Sequence, residues 1–358
     1  MAPIRVLLVG CGNMGSSHAR AYRSLEGFEL VGLVSRKPDS RERLSRELGG
    51  IPTFGSFEEA FETANPDAVS INTYPDTHAS LALASLRRGA HVFLEKPIAP
   101  TVREAEEVVS LARSRKRKLM VGYILRVHPA WKEFVRIART LGKPLVMRMN
   151  LNQQSSGREW ETHKSLMVSA SPIVDCGVHY VDVMCQMTQS RPVGVHAIGA
   201  RLSDELDPSM YNYGQLQVRF EDGSVGWYEA GWGPMISETA YFVKDVIGPL
   251  GSASIVGREG ERDSGSSAID SHTKTNSIRV HRARIDGGGS PPKADEWVDT
   301  RDEPDHDGLC RLEQEAFLRA IVEDEDLDSH LEDALSSLRI VLAADRSVRT
   351  GLVVDPRG

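Results

Sequence analysis

The chain has 358 residues, of which 40% are hydrophobic and 26% charged, and its formal net charge is −7 at pH 7. This length exceeds the usual limit for one hydrophobic core, so we expect two domains, and the acidic balance argues against a nucleic-acid partner. No apolar run has membrane-spanning length, and the apolar start runs straight into glycines without a signal-peptide pattern. We therefore expect a cytoplasmic protein with no membrane partner.

The first third of the chain alternates short apolar segments with amphipathic ones. Strands are predicted at 5–9, 30–34, 67–72, 91–93 and 119–123, and helices at 14–25, 38–48, 77–88 and 101–112. Strands that alternate with helices indicate parallel pairing through crossover helices. The sequence therefore predicts an N-terminal α/β domain, residues 1–124, built on a doubly wound parallel sheet.

After residue 124 the pattern changes to longer alternating strands. They are predicted at 144–150, 193–201, 216–220, 224–230, 240–247 and 252–256, and helical spacing returns at 311–323 and 331–348. Hairpin-like turns such as Glu221-Asp222-Gly223-Ser224 favour antiparallel pairing. We expect residues 125–358 to form an α+β domain with a large, mainly antiparallel sheet, and residues 257–292 to form loops around one or two weak strands.

The first predicted strand runs directly into Gly10-Cys11-Gly12-Asn13-Met14-Gly15, which has the G-x-G-x-x-G spacing. Glycines at the end of a strand and the start of a helix allow a tight turn and a close approach of backbone to a pyrophosphate. Gly10, Gly12, Asn13, Met14 and Gly15 are therefore predicted to bind a dinucleotide. The alternative is that these glycines serve only the strand-to-helix turn.

The second predicted strand is followed by Ser35-Arg36-Lys37, where NAD-binding folds usually place a carboxylate for the ribose hydroxyls. A hydroxyl and two cations can instead hold a ribose 2′-phosphate. The sequence thus favours NADP as cofactor, with NAD the alternative if Arg36 and Lys37 are only solvated surface residues.

Two further strand-end segments are expected to border the nicotinamide, because strand-end loops form the crevice of an open parallel sheet. They are Asn72-Thr73-Tyr74-Pro75-Asp76-Thr77-His78 and Glu95-Lys96-Pro97. From them we predict cofactor contacts by Thr73, Pro75, His78, Glu95 and Lys96. The bond before Pro97 is a candidate for the cis form.

Asp175, His179 and Asp182 have helical spacing, so one helix beginning near Ile173 would place all three on one face. A carboxylate and an imidazole at this spacing suit proton transfer, with Asp182 orienting the ring. The alternative is an amphipathic helix whose polar groups are hydrogen-bonded and have only a structural role. No metal is expected, because the other histidines lack ligand spacing relative to His179.

Taken together, these motifs resemble the Gfo/Idh/MocA oxidoreductases. The resemblance rests on the glycine motif, on Glu95-Lys96-Pro97, on 122–129 (GYILRVHP) and on 175–182 (DCGVHYVD). It implies a nicotinamide enzyme acting on a sugar, polyol or related secondary alcohol, in which Lys96, Asp175 and His179 match the family's catalytic residues. It also implies a homodimer or homotetramer. Many relatives have a glycine run before the aspartate, whereas this chain has 168–172 (VSASP).

Oxidation of a secondary alcohol needs a proton acceptor, and an unperturbed imidazole, with a pKa of about 6.5, suits that role. We assign it to His179, with Lys96 stabilising the charge on the reacting oxygen and Asp175 orienting the substrate or the imidazole. Substrate contacts are also predicted for Arg126, Trp160 and His163. Two alternatives stay open: a redox-neutral sugar hydrolase or lyase with tightly held nicotinamide, and a non-catalytic dinucleotide sensor.

Overall fold

The structure is a computed structural model, and it describes residues 2–237, 243–256, 273–283 and 294–357. The chain divides into two compact units, the first formed by Met1–Val127 with Pro304–Leu335 and the second by His128–Glu303 with Ser336–Gly358. The predicted domain boundary after residue 124 stays a prediction. The structure groups residues 304–335 with the first unit, although the prediction assigned them to the second domain.

The first unit is built on a six-stranded parallel sheet with the strand order β3-β2-β1-β4-β5-β6. Its strands are β1 Ile4–Val9, β2 Phe28–Val34, β3 Thr53–Phe54, β4 Ala68–Ile71, β5 His91–Glu95 and β6 Leu119–Gly122. The intervening helices are α1 Asn13–Ser24, α2 Pro38–Glu47, α3 Phe57–Ala64, α4 His78–Arg87 and α5 Val102–Arg115. This confirms the predicted doubly wound sheet, and β3 and α3 are additional elements.

The second unit is built on an eight-stranded sheet with the order β14-β13-β12-β11-β7-β10-β9-β8. Its elements before the last two helices are α6 Pro129–Ala138, β7 Val146–Gln154, α7 Gly157–Met167, α8 Pro172–Asp175, α9 Gly177–Thr188, β8 Pro192–Ala200, β9 Tyr213–Phe220, β10 Val225–Gly233, β11 Lys244–Gly248, β12 Gly251–Ile255, β13 Ser277–Arg282 and β14 Glu296–Asp299. All pairs are antiparallel except β7 with β10. The mainly antiparallel α+β prediction is thus confirmed. Residues 240–242 and most of 257–292 lie outside the described residues.

The last two elements in chain order are long helices, α10 His306–Val322 and α11 Asp328–Thr350. Helix α10 belongs to the core of the first unit, because Phe317 is fully buried in one cluster with Val6, Tyr22 and Phe93. The rings of Phe93 and Phe317 lie 6.0 Å apart. Burial of these aromatic side chains holds α10 against the parallel sheet. Among the described helices, none has the length and apolar character needed to cross a membrane.

Candidate active site

The glycine motif forms the turn from β1 to α1, at the point where the strand order reverses between β1 and β4. Gly10 has φ +100°, and a Cβ there would lie 2.4 Å from the carbonyl oxygen of Asn72. A Cβ on Gly15 would lie 1.8 Å from the carbonyl oxygen of Gly10. Both positions therefore require glycine for the turn itself.

Gly12 has a different environment, because no atom lies within 4 Å of the position where its Cβ would be. Gly12 caps α1 and has no side chain to bind the first-turn N–H groups, and Gly12 and Asn13 are exposed while Met14 is half-buried. The N-terminus of a helix with open space above it and no acidic residue in its first turn fits an anionic group. These residues can hold the pyrophosphate of a dinucleotide.

At the end of β2, Ser35 is half-buried, and Arg36 and Lys37 are exposed. Sequence analysis did not single out Arg41 on α2, although its Nη1 donates to the carbonyl oxygen of Ser35 at 2.7 Å. The Arg41 side chain is only 19% exposed, and its Nε forms an ion pair with Oε1 of Glu42 at 3.7 Å. Its charge also reaches the glycine turn, where burial raises the pKa of the Cys11 thiol to about 11 and Arg41 partly opposes that rise.

The loop after β4 is tied to the loop after β5 by His78. This side chain is fully buried, its Nε2 lies 2.9 Å from the carbonyl oxygen of Thr73 and its Nδ1 lies 2.7 Å from that of Pro97. Burial is the largest influence on the pKa of His78 and lowers it. The ring therefore joins the two loops, while direct cofactor contacts by Thr73, Pro75 and His78 stay predictions.

Lys96 follows β5 and is half-buried, and the Lys96-Pro97 bond is cis, as predicted. The preceding Glu95 is buried, with Oε1 2.8 Å from Nε2 of His18 and Oε2 accepting from the Lys96 backbone N–H at 3.2 Å. The amide nitrogen of Gln314 donates to Nδ1 of His18 at 2.9 Å, so Nε2 carries the proton given to Glu95. Glu95 thus fixes the backbone of Lys96 and links it to α1, while its predicted cofactor contact is untested.

A possible metal-binding cluster lies beside this network. Potential ligand atoms of His18, Cys310 and Glu313 lie within 4.8 Å of one another. Both ring nitrogens of His18 are already hydrogen-bonded, and burial raises the pKa of the Cys310 thiol and of the Glu313 carboxyl. A metal would require the thiol and the carboxyl to lose their protons, and their raised pKa values oppose that loss, so we assign no metal to the cluster.

In the second unit, the predicted single helix through Asp175 and His179 is wrong. Helix α8 ends at Asp175, Cys176 is a turn residue, and α9 begins at Gly177. The two side chains therefore belong to two helices joined at Cys176, whose backbone angles stay helical at φ −88° and ψ −39°. Gly177 is closely packed, because a Cβ there would lie 2.8 Å from the Tyr228 ring. The predicted orienting residue, Asp182, is buried and accepts from Nε2 of Gln186 at 3.0 Å.

His163 lies among polar groups that sequence analysis missed. Its ring stacks on Trp232 with centroids 4.5 Å apart, and its Nδ1 lies 2.9 Å from Oγ of Ser155. The Trp232 indole donates to Oε1 of Gln153 at 2.7 Å. Burial lowers the pKa of His163, and the charge of Asp175 partly offsets this effect. A half-buried imidazole that is influenced by a carboxylate suits recognition of a polar substrate.

The other two residues predicted to contact substrate, Arg126 and Trp160, make contacts with protein side chains. Arg126 donates to Asp333 at 2.9 Å and lies over the Tyr123 ring. Trp160 is 4% exposed, and the ammonium of Lys164 lies 5.7 Å from its ring centroid. These contacts show both side chains packed within their own units, and their predicted substrate contacts stay untested.

The parallel sheet, its strand order and the glycine turn define a dinucleotide-binding Rossmann domain. Residues 4–123 match the family model described as the oxidoreductase family with an NAD-binding Rossmann fold, and residues 132–260 match the GFO/IDH/MocA C-terminal domain. These ranges cover more than half of the chain. The chain therefore belongs to the GFO/IDH/MocA oxidoreductase family, which confirms the resemblance inferred from its motifs.

The chain is also similar to individual proteins, at sequence identities between 15% and 28%. It is 28% identical over 208 residues to UDP-N-acetylglucosamine 3-dehydrogenase of Acidithiobacillus ferrooxidans, an alignment covering 58% of this chain and 62% of that protein. It is 25% identical over 350 residues to inositol 2-dehydrogenase of Rhizobium meliloti, covering 96% and 97%. An Agrobacterium radiobacter oxidoreductase, solved with NAD⁺, L-tartaric acid and magnesium, has a TM-score of 0.78 at 15% identity, covering 99% and 98%. That likeness shows the fold.

Proposed function

We propose that the chain is an NADP-dependent dehydrogenase or reductase that acts on a secondary alcohol or ketone of a sugar, polyol or related small molecule. The observation that supports it best is the cradle at Gly12, where the glycine turn leaves open space at the start of α1. Family membership and the names of relatives such as inositol 2-dehydrogenase support the substrate class. A homodimer or homotetramer in the cytoplasm stays a prediction.

In this proposal the bound nicotinamide accepts or supplies the hydride. Lys96 hydrogen-bonds the reacting oxygen and stabilises its negative charge in the transition state. His179 takes the hydroxyl proton in oxidation and returns it in reduction. Asp175 orients the substrate or the imidazole.

The cofactor is held through its phosphates by main-chain and basic groups. The first-turn N–H groups of α1 would hold the pyrophosphate, and Ser35, Arg36, Lys37 and Arg41 would supply the hydroxyl and the cations for a ribose 2′-phosphate. Arg41 supports the preference for NADP because its guanidinium is anchored on the carbonyl oxygen of Ser35, the residue before Arg36.

A screen of polyols, sugars, sugar nucleotides and keto-sugars with NADP⁺ or NADPH tests the activity. We expect cofactor-dependent absorbance change at 340 nm with at least one compound class, and myo-inositol and UDP-N-acetylglucosamine are the first compounds. A cofactor that co-purifies and is reduced and reoxidised with no net absorbance change would instead indicate the redox-neutral reaction. Failure to bind either dinucleotide would contradict the proposal.

Cofactor preference gives a separate prediction for Arg36 and Arg41. Arg36→Asp and Arg41→Gln should each weaken NADPH binding by about tenfold or more, because a charge-assisted hydrogen bond contributes roughly 1.5–3 kcal/mol. NADH binding should stay within about twofold for Arg41→Gln, since the added phosphate is the difference between the cofactors. Dissociation constants measured by fluorescence titration provide the comparison.

The matched control for Arg41 is Arg46→Gln, because Arg46 is an exposed arginine in the last turn of the same helix. It should bind both cofactors as the original chain does. Equal losses of NADPH and NADH affinity in Arg41→Gln would mean that Arg41 supports the loop without selecting the phosphate.

A further inference from the structure

The helix that ends at Asp175 is held in place by hydroxyl groups outside it. Helix α8 has four residues, Pro172–Asp175, so it contains almost no hydrogen bonds of its own. Its start is Ser171, which accepts the Val174 N–H through Oγ at 3.2 Å and the Asp175 N–H through its carbonyl oxygen at 2.9 Å. The backbone position of Asp175 therefore depends on where Ser171 lies.

Ser171 is in turn anchored to distant parts of the second unit. Its Oγ donates to Oδ1 of Asp345 on α11 at 2.7 Å, and the Tyr211 hydroxyl lies 2.8 Å from the same Oγ and hydrogen-bonds to the same carboxylate. The three oxygens come from three separate segments of the chain. Two hydroxyls that share one carboxylate make charge-assisted hydrogen bonds, which are stronger than neutral ones.

Packing restricts the Tyr211 ring as well. A Cβ on Gly199 would lie 3.0 Å from the ring and one on Gly214 would lie 2.8 Å from it, so the tyrosine is wedged against bare strand backbone in β8 and β9. Burial and the neighbouring carboxylate of Asp345 raise the pKa of Tyr211 well above its usual value, so the phenol keeps its proton. Tyr211 thus acts as a rigid donor.

We propose that Ser171, anchored by Asp345 and Tyr211, is a positioning residue that sets the location of the Asp175 carboxylate. This inference rests on the proposed function for its catalytic meaning, since Asp175 is there assigned to orient the substrate or the imidazole. Ser171 lies in the segment 168–172 (VSASP), which directly precedes the residues of α8 that end at Asp175.

His163 reports the position of Asp175 without any substrate. The charge of Asp175 favours the protonated form of His163, so moving that charge away should lower the pKa of the imidazole. The test is a histidine NMR titration of the full chain, with the His163 signal assigned from His163→Gln. Asp175→Asn sets the full effect, which we expect to be a fall in the pKa of His163.

Ser171→Ala and Asp345→Ala should each lower the pKa of His163 by at least half of the Asp175→Asn effect. Asp345→Ala keeps the Ser171 cap, so it decides the question if Ser171→Ala fails to fold. Two controls should leave the pKa unchanged: Ser171→Thr, which keeps the hydroxyl, and Ser169→Ala, which removes an exposed hydroxyl two residues away.

Folded Ser171→Ala and Asp345→Ala proteins with an unchanged His163 titration would overturn the inference, provided that Asp175→Asn shifts it. An unchanged titration in Asp175→Asn would also overturn it, because the carboxylate held through Ser171 would then not act on His163 as its position in the structure requires. Neither result depends on turnover, so the inference can fail while the proposed function stands. Once a substrate is known, Ser171→Ala should lower kcat by about tenfold, with the dissociation constant of NADPH within about twofold.

Discussion

Replacing Lys96 or His179 with alanine is expected to lower turnover by roughly a hundredfold or more, the usual contribution of a positioned proton-transfer group. Without Lys96, the oxygen that gains negative charge loses its cationic hydrogen-bond donor. Without His179, the hydroxyl proton has to leave to water. Steady-state kinetics on the best substrate of the screen provides the measurement.

The His179 variant should differ little from the original chain in cofactor affinity. NADPH should bind His179→Ala within about twofold, because the cofactor-binding groups proposed above all belong to the first unit. Lys132→Ala and His196→Ala are suitable controls, since Lys132 is exposed on α6 and His196 is half-buried on β8. Both should keep full turnover. Near-normal turnover in the Lys96 and His179 variants would show that these residues do not carry the chemistry.

Local signals predicted the Rossmann unit well. The passage from an apolar strand through Gly10 and Gly15 into a helix is contained in consecutive residues, and the steric reason for Gly15 is the local backbone of Gly10. The strand and helix alternation likewise depends on side-chain periodicity within a few residues. These features are visible before any long-range contact is known, whereas the contact of Gly10 with Asn72 is not.

The residues that hold the candidate site in position make contacts between distant parts of the sequence, and no local pattern contains such contacts. Glu95 and His18 are 77 positions apart, and their pairing through α1 and β5 makes Glu95 a buried support of Lys96. Trp232 and Gln153 are register partners because β10 pairs in parallel with β7. Parallel pairing between strands so far apart in sequence carries no turn signal. The sequence therefore predicted the candidate catalytic residues but not the residues that hold them in position.

The break between α8 and α9 shows the same limit at short range. The spacing of Asp175 and His179 fits one helix turn, and nothing in the intervening residues excludes a regular helix. The structure nevertheless divides the segment at Cys176, next to Gly177, which packs closely against the Tyr228 ring of β10. That contact joins residues far apart in the sequence, so no local pattern contains it.

The second large effect is expected for Gly12→Ala, a substitution that should weaken cofactor binding without affecting folding. Gly12→Ala should leave the free energy of unfolding of the cofactor-free protein within about 0.5 kcal/mol, a typical limit for a substitution that meets no neighbour. The backbone at Gly12 has φ −80° and ψ −163°, a region open to alanine. NADPH affinity should nevertheless fall by about tenfold or more, because the new methyl group would occupy the space proposed for the pyrophosphate.

Gly15→Ala provides the contrast, because its Cβ would overlap the carbonyl oxygen of Gly10 at 1.8 Å. That variant should lose both NADPH binding and roughly 1–3 kcal/mol or more of stability, the usual cost of overpacking. Thermal unfolding without cofactor and fluorescence titration with NADPH separate the two cases. If Gly12→Ala bound NADPH as tightly as the original chain, the glycine turn would not approach the pyrophosphate, and the observation that best supports the proposed function would be lost.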